Sequence, residues 1–141
     1  MPSRDRGSSL QEPLVLIVED DASVLLFAED ALEAGGYKLV TAAHGAEALN
    51  ALNAHIGELT GLVTDIQLGA GPNGWDVARH ARQLNADLPV VYMTGDSAAE
   101  WSAQGVPNSV LVQKPYAPAQ LLTAIATLMT AADTSNATDT H

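Results

Sequence analysis

The amino-acid sequence predicts an α/β fold in which five helices cover both faces of a doubly wound, five-stranded parallel sheet. Short β-prone runs alternate strictly with longer helix-forming runs along the chain, and such alternation requires right-handed crossovers between parallel strands. The composition is 47% hydrophobic but only 4% aromatic, which is typical of a Val, Leu, Ile and Ala core between helices and a buried sheet.

Five short runs of aliphatic and β-branched residues predict the strands, which lie between two polar ends. Residues 1–12 and 132–141 lack hydrophobic periodicity, so we expect flexible tails on either side of one domain at residues 13–131. The predicted strands are residues 14–18, 37–42, 62–64, 89–93 and 109–113.

Longer runs with apolar residues at helical spacing predict a helix after each strand. Gly35 and Gly36 end the first helix, and Pro118 is compatible with the first turn of the last. The predicted helices are residues 22–34, 46–55, 74–84, 97–103 and 118–129.

Composition excludes several classes of function. The chain has no cysteine, so disulfides and thiolate chemistry are excluded. Its net charge is -11, and two of its six basic residues, Arg4 and Arg6, lie in the N-terminal tail, so we expect no nucleic-acid binding. No segment resembles a signal peptide or a membrane span, so we expect a cytoplasmic protein without membrane contact. The acidic surface is compatible with divalent cations and with a basic protein partner.

Polar side chains stand at the ends of four otherwise apolar strands. Asp65 ends the third strand, although such an Asp alone is more often a turn former or a helix cap. Glu19 and Asp20 follow the first strand, Thr94 follows the fourth, and Lys114 follows the fifth. In the flavodoxin-like strand order 2-1-3-4-5, these ends lie at one edge of the sheet, near the switch point between strands one and three.

The chemistry of this group points to phosphoryl transfer. Three carboxylates in one crevice repel each other unless a cation lies among them, and Mg²⁺ prefers carboxylate, carbonyl and water oxygens. With the metal and Lys114 neutralising charge, Asp65 can act as a nucleophile toward a phosphoryl group. The Thr94 hydroxyl and the Lys114 ammonium can bind two of the phosphoryl oxygens.

These motifs, in this order, resemble the receiver domains of two-component response regulators, the CheY-like family. The resemblance extends from residue 14 to about residue 129. The matching segments are Val18-Glu19-Asp20-Asp21, Val63-Thr64-Asp65, Tyr92-Met93-Thr94-Gly95 and Gln113-Lys114-Pro115-Tyr116.

The resemblance implies a role for each matching residue. Asp65 is the implied phosphoacceptor, and Thr94 and Lys114 assist it. Asp20 is implied to bind Mg²⁺ directly, Glu19 through water, and Gln67 through its backbone carbonyl. The peptide bond before the proline that follows Lys114 is usually cis in this family.

The resemblance also implies a partner and an output. The phosphoryl donor is a sensor histidine kinase or a phosphotransfer protein, and the chain is a signalling protein rather than a metabolic enzyme, with self-catalysed transfer and slow autodephosphorylation only. Because the sequence stops soon after the last predicted helix, we expect a stand-alone receiver that signals or relays through protein contacts. Family members usually meet targets on the face of helix 4, strand 5 and helix 5, which here would include Trp101, Leu111 and Tyr116.

The sequence departs from the family pattern at two places, and the first of them leaves an alternative open. Leu111 stands where the family usually has a switch aromatic, so signalling is expected to depend on Thr94 and the loop after it. Gly74 lies nine positions after Asp65 instead of the usual eight, which we expect to change the loop without moving Asp65. The alternative is a degenerate receiver that binds proteins independently of phosphorylation. Asp21 is interpreted as a cap of the first helix rather than as a metal ligand.

Overall fold

A computed structural model describes residues 13–139, with the side chains of residues 13–132. It contains one sheet of five parallel strands in the order β2-β1-β3-β4-β5, which confirms the predicted fold class and strand order. The predicted N-terminal tail, residues 1–12, lies outside the described residues. The strands are β1 (Leu14–Val18), β2 (Lys38–Ala42), β3 (Leu59–Asp65), β4 (Val90–Thr94) and β5 (Ser109–Gln113).

Helices connect the strands on both faces of the sheet. A 3-10 turn at Ala98–Glu100 precedes the short fourth helix. Within the described residues, no helix is both long enough and apolar enough to cross a membrane. The helices are α1 (Ala22–Ala34), α2 (Gly45–His55), α3 (Gly74–Leu84), α4 (Trp101–Gln104) and α5 (Pro118–Asp139).

The core lies in two layers because successive side chains of a strand point to opposite faces of the sheet. In β1, Val15 and Ile17 are buried against α1 and α5, whereas Leu16 and Val18 are buried against α2 and α3. A strand that is covered on both faces reads as a continuous apolar run. The charged residues of the predicted site therefore lie at the carboxyl edge, where the chain leaves the sheet.

Strand β3 begins at Leu59, earlier than the predicted start at Leu62. Gly61, the residue just before the predicted start, lies inside the strand, where α5 crosses close to the sheet. A Cβ atom at Gly61 would lie 2.9 Å from Ile125 Cδ1 and 3.2 Å from Met129 Cε. The small size of glycine suits the close approach of these two side-chain ends, and Gly61 does not interrupt the strand.

Helix α5 extends beyond its predicted end at Met129 and reaches Asp139. The helix thus includes residues 132–139, where the sequence predicted no helix, and the flexibility of the tail at residues 132–141 stays a prediction. Neither glycine nor proline occurs between Met129 and the end of the chain, so no strong helix terminator follows the last apolar turn. The domain boundaries at residues 13 and 131 stay a prediction.

Candidate functional site

Three carboxylates meet at the carboxyl edge of β1 and β3. One carboxylate oxygen from each of Glu19, Asp20 and Asp65 lies within 4.8 Å of the others. Glu19 is 1% exposed and Asp65 is 7% exposed, whereas Asp20 is open to solvent. The Glu19 N–H donates to the Ala42 carbonyl oxygen at 3.1 Å, which continues the β1–β2 pairing by one residue and holds Glu19 at the edge of the sheet.

Lys114 contacts two of these carboxylates. Its Nζ lies 2.7 Å from Glu19 Oε1 and 3.3 Å from Asp65 Oδ2. The Lys114 N–H donates to the Thr94 carbonyl oxygen at 2.8 Å, which positions the residue just beyond the β4–β5 pairing. The peptide bond between Lys114 and Pro115 is cis, as the resemblance implied. The structure therefore brings two predicted site residues, Glu19 and Asp65, against the ammonium group of a third, Lys114, and Asp20 belongs to the same carboxylate cluster.

The pKa values of this cluster reflect burial and mutual charge. Burial above all, together with the charge of Asp65, raises the pKa of Glu19 to about 7, although the hydrogen bond from Lys114 acts in the opposite direction. Burial alone would lower the Lys114 pKa, but its hydrogen bond to Glu19 and the charge of Asp65 outweigh burial and raise it. The lysine thus keeps its charge beside a carboxylate cluster that carries excess negative potential.

The donor set of the cluster fits a hard divalent cation. Carboxylate oxygens from three residues converge from two strands, and Asp20 leaves the cluster open to water on one side. A partly hydrated site of this kind, with one exposed carboxylate and two buried ones, is typical of Mg²⁺. A cation at this position would offset the repulsion that otherwise favours the protonated form of Glu19.

Thr94 lies at the end of β4 with its side chain 1% exposed. Its Oγ1 accepts hydrogen bonds from the Ser97 N–H at 2.8 Å and the Asp96 N–H at 3.2 Å. Because Oγ1 accepts both, its own hydrogen stays available for donation. The Gln67 Nε2 donates to Ser97 Oγ at 3.1 Å, which links the loop after β3 to the loop after β4. Thr94 and Gln67 were predicted as site residues, whereas Ser97, which hydrogen-bonds to both, was not. The only sequence signal of Ser97 is its position three residues after Thr94.

The loop after β3 closes directly behind Asp65. The Gly74 N–H donates to the Ile66 carbonyl oxygen at 2.8 Å, and a Cβ atom at Gly74 would overlap the carbonyl oxygen of Asp65. Gly69 and Gly71 take φ angles of 79° and 91°, which complete the longer loop. Asp65 nevertheless keeps its place at the end of β3, beside Lys114.

Asp21 caps α1, as interpreted from the sequence. Its Oδ1 accepts hydrogen bonds from the Ser23 N–H at 2.9 Å and the Val24 N–H at 3.1 Å. These bonds, the Ser23 hydroxyl above all, lower the Asp21 pKa. Asp21 thus anchors the helix that follows the acidic pair rather than joining the carboxylate cluster.

The sequence of residues 15–126 matches the family described as the response regulator receiver domain. The chain belongs to this family. Receiver domains are signalling modules of two-component systems, and they interact with histidine kinases or phosphotransfer proteins. The family binds Mg²⁺ in an acidic pocket, which is the position of the Glu19, Asp20 and Asp65 cluster in this receiver domain.

Solved structures are similar to this receiver domain over most of their length. A response regulator receiver protein from Sinorhizobium medicae WSM419 is 37% identical with a TM-score of 0.84, covering 87% of this chain and 98% of that one. A putative response regulator from Chloroflexus aurantiacus J-10-fl is 28% identical with a TM-score of 0.74, covering 85% of this chain and 99% of that one. The response regulator SaeR from Staphylococcus aureus is 26% identical over 118 residues, 82% of this chain, and the chain spans about half, 50%, of its length.

The receiver domain does not present the expected target-binding residues together. Tyr116 is 8% exposed and packs in the core layer of α1 and α5, where its hydroxyl donates to Met93 Sδ at 3.4 Å. Trp101 and Leu111 are half-buried against the opposite layer. Tyr116 thus lies in a different core layer from Trp101 and Leu111 and is little exposed, and the target face itself stays a prediction.

Strand β5 contains no aromatic residue that could replace the switch aromatic missing at Leu111. The residue paired with Leu111 in β4 is Tyr92, which is fully buried and whose hydroxyl oxygen accepts the Val106 N–H at 3.0 Å. The Tyr92 ring also lies 4.8 Å from that of Trp75, centroid to centroid. This tyrosine is held in the core on two sides and is not a replacement for a mobile switch aromatic.

Proposed function

We propose that Asp65 accepts a phosphoryl group from a sensor histidine kinase or a phosphotransfer protein. The supporting observation is the position of Lys114 Nζ, within 3.3 Å of both Glu19 and Asp65, at the rim of a carboxylate cluster suited to Mg²⁺. In this proposal, Glu19, Asp20, Asp65 and the backbone carbonyl of Gln67 hold the metal. The bound metal supplies charge neutralisation for the incoming phosphoryl oxygens.

The proposed transfer is a displacement at phosphorus. A carboxylate oxygen of Asp65 forms a bond to phosphorus while the P–N bond of the donor phosphohistidine breaks, and the imidazole leaves with the electron pair and takes a proton. Lys114, already charged, pairs with one phosphoryl oxygen. Thr94 donates its free hydroxyl hydrogen to another, since its Oγ1 lone pairs are occupied by backbone N–H groups.

The proposal is tested by intact-protein mass after incubation with acetyl phosphate and Mg²⁺. We expect one phosphoryl adduct on the native chain, no adduct when the metal is chelated, and no adduct on Asp65→Asn. Asp87→Asn is the matched control, because Asp87 is an exposed carboxylate just before β4, at the edge of the sheet opposite the cluster, and it should label like the native chain.

An adduct that persists on Asp65→Asn would overturn the assignment of the phosphoacceptor. A native chain that takes up no phosphoryl group from acetyl phosphate or from purified histidine kinases, and that binds no Mg²⁺, would support the degenerate receiver instead.

We expect Asp96 to set the lifetime of the phosphorylated state. Asp96 is exposed in the turn after Thr94, and its N–H donates to the Thr94 hydroxyl oxygen at 3.2 Å, so the residue follows β4 at the same edge of the sheet as the cluster. A carboxylate there can orient or repel the attacking water. Asp96→Ala should change the first-order rate constant for loss of the phosphoryl group by about 3-fold or more. This change corresponds to about 0.7 kcal/mol or more in activation free energy. A rate equal to that of the native chain would remove Asp96 from this role.

We infer that the output is a protein contact made by the receiver domain itself, in the cytoplasm, without nucleic-acid binding. Helix α4, strand β5 and helix α5 form the proposed target face, now without Tyr116. Since Leu111 is aliphatic, the phosphorylation signal is proposed to travel through Thr94 and the loop that Ser97 joins to Gln67.

A further inference from the structure

Ser97 is a buried polar residue with no assigned role in the transfer step. It is 5% exposed, and its N–H donates the shorter of the two hydrogen bonds that Thr94 Oγ1 accepts, at 2.8 Å. A buried hydroxyl is costly unless it has a partner of its own. Ser97 Oγ accepts a hydrogen bond from Gln67 Nε2 at 3.1 Å, whereas Asp96 Oδ1 lies 3.5 Å away, at the limit of hydrogen bonding. The Gln67 amide is therefore the main partner of the Ser97 hydroxyl.

The bond from Gln67 is a tether between two loops. In the described part of the chain, no other hydrogen bond joins residues 66–73, which follow β3, to residues 95–100, which follow β4. Gln67 and Ser97 also line a cavity of about 370 Å³. Because side chains leave this space between the loops unfilled, packing alone does not fix the separation of the loops, and the hydrogen bond contributes to it directly.

The tether acts on Thr94 through the main chain of Ser97. The N–H groups of Asp96 and Ser97 fasten Thr94 Oγ1 to the start of the loop after β4. With its acceptor side held in this way, the Thr94 hydroxyl can direct its hydrogen only away from the loop. The position of Ser97 therefore helps to set the direction in which Thr94 donates, and a donor stabilises a reacting group best when that direction is fixed in advance.

We propose that the side chain of Gln67 positions the Thr94 hydroxyl for phosphoryl transfer, acting through Ser97. This role belongs to the side-chain amide and is separate from any contact of the Gln67 backbone carbonyl with a metal. The inference rests on the proposed transfer to Asp65, in which Thr94 binds one phosphoryl oxygen. A tether that merely stabilises the two loops would instead act on the rate independently of Thr94.

The first test compares the rates of adduct formation from acetyl phosphate with Mg²⁺. We expect Gln67→Leu and Ser97→Ala each to lower the rate about 5-fold, as the loss of one hydrogen bond allows, and the double variant to lower it no further. Ser97→Thr keeps the hydroxyl, and the cavity has room for the added methyl group, so it should keep the native rate. Gln83→Leu is the matched control, because Gln83 is an exposed glutamine in the last turn of α3, and it should label like the native chain.

A Thr94→Ala background separates positioning from a general effect on the loops. If Gln67 acts through Thr94, adding Gln67→Leu to Thr94→Ala should change the rate by less than about 2-fold. An equal fall of about 5-fold on the native and the Thr94→Ala backgrounds would overturn the proposal, because the tether would then act without Thr94. Failure of Ser97→Thr to label faster than Ser97→Ala would overturn it as well.

Hydrogen exchange of the Ser97 amide, followed by NMR without a phosphoryl donor, tests the tether apart from the chemistry. We expect this amide to exchange about 5-fold faster in Gln67→Leu than in the native chain or in Gln83→Leu. Unchanged exchange in Gln67→Leu would overturn the inference even where the native chain labels normally. A native chain that takes up no phosphoryl group would overturn the proposed function itself, and the positioning role with it, whatever the amide exchange shows.

Discussion

Replacing Lys114 with methionine is expected to destabilise the metal-free protein by about 2–3 kcal/mol, less than for a fully buried pair because the lysine side chain is 23% exposed. The lysine ammonium lies 2.7 Å from Glu19, whose side chain is 1% exposed, and 3.3 Å from Asp65. Removing one partner of a buried ion pair leaves the other carboxylate without compensation. Glu19 then becomes harder to ionise, so the loss should grow as the pH rises above about 7, the pKa to which burial already raises this carboxyl group.

Urea unfolding with and without Mg²⁺ measures this effect. We expect Mg²⁺ to stabilise Lys114→Met more than it stabilises the native chain, because the metal replaces the missing positive charge. Lys38→Met is the control, since Lys38 is an exposed lysine at the start of β2, and its loss should be within about 0.5 kcal/mol. Equal free energies of unfolding for the two variants would contradict the proposed electrostatics of the cluster.

Replacing Gly74 with alanine is expected to lower both stability and phosphoryl uptake. The first residue of α3 lies against the backbone of Asp65 and Ile66, so an added Cβ must push the helix or the end of β3 away. Overpacking of this kind costs about 1–3 kcal/mol. The displaced backbone carries the Asp65 carboxylate. Because a displacement of a reacting group by about 1 Å slows a reaction strongly, the rate of adduct formation from acetyl phosphate should fall about 10-fold or more.

Gly57→Ala is the matched control for this prediction. A Cβ at Gly57 meets nothing within 4 Å, and its φ does not lie in the left-handed region. We expect the control to keep the native free energy of unfolding to within about 0.5 kcal/mol and the native rate of labelling. If Gly74→Ala behaves like Gly57→Ala in both measurements, the close packing of α3 on Asp65 does not hold the carboxylate in place.

The site could be predicted from the sequence because each of its residues stands next to a strand. Parallel strands in a doubly wound sheet deliver their carboxyl ends to one edge, so Asp65, Glu19 and Lys114 converge however far apart they are in the chain. The fold was predictable for the same reason: buried parallel strands are uniformly apolar, and the crossovers have one hand.

The remaining features depend on packing that no local pattern shows. Gly61 favours the end of a strand by its residue type, yet it lies inside β3, where the side chains of α5 pack close to the sheet. Tyr116 lies in a short segment after β5, where the alternation of side chains along a strand no longer predicts their direction. Its burial beside α1 was therefore not predicted. The bond between Gln67 and Ser97 joins residues 30 positions apart, and only the folded chain brings their loops together.

The most direct measurement is to locate the phosphoryl group at single-residue level. Borohydride reduces an aspartyl phosphate to homoserine, which tandem mass spectrometry of the digested protein can assign to one position. After labelling with acetyl phosphate and Mg²⁺, we expect this conversion at residue 65 alone. Conversion at Glu19 or Asp20, or at any other carboxylate while residue 65 stays unchanged, would contradict the assignment of Asp65 as the phosphoacceptor of this receiver domain.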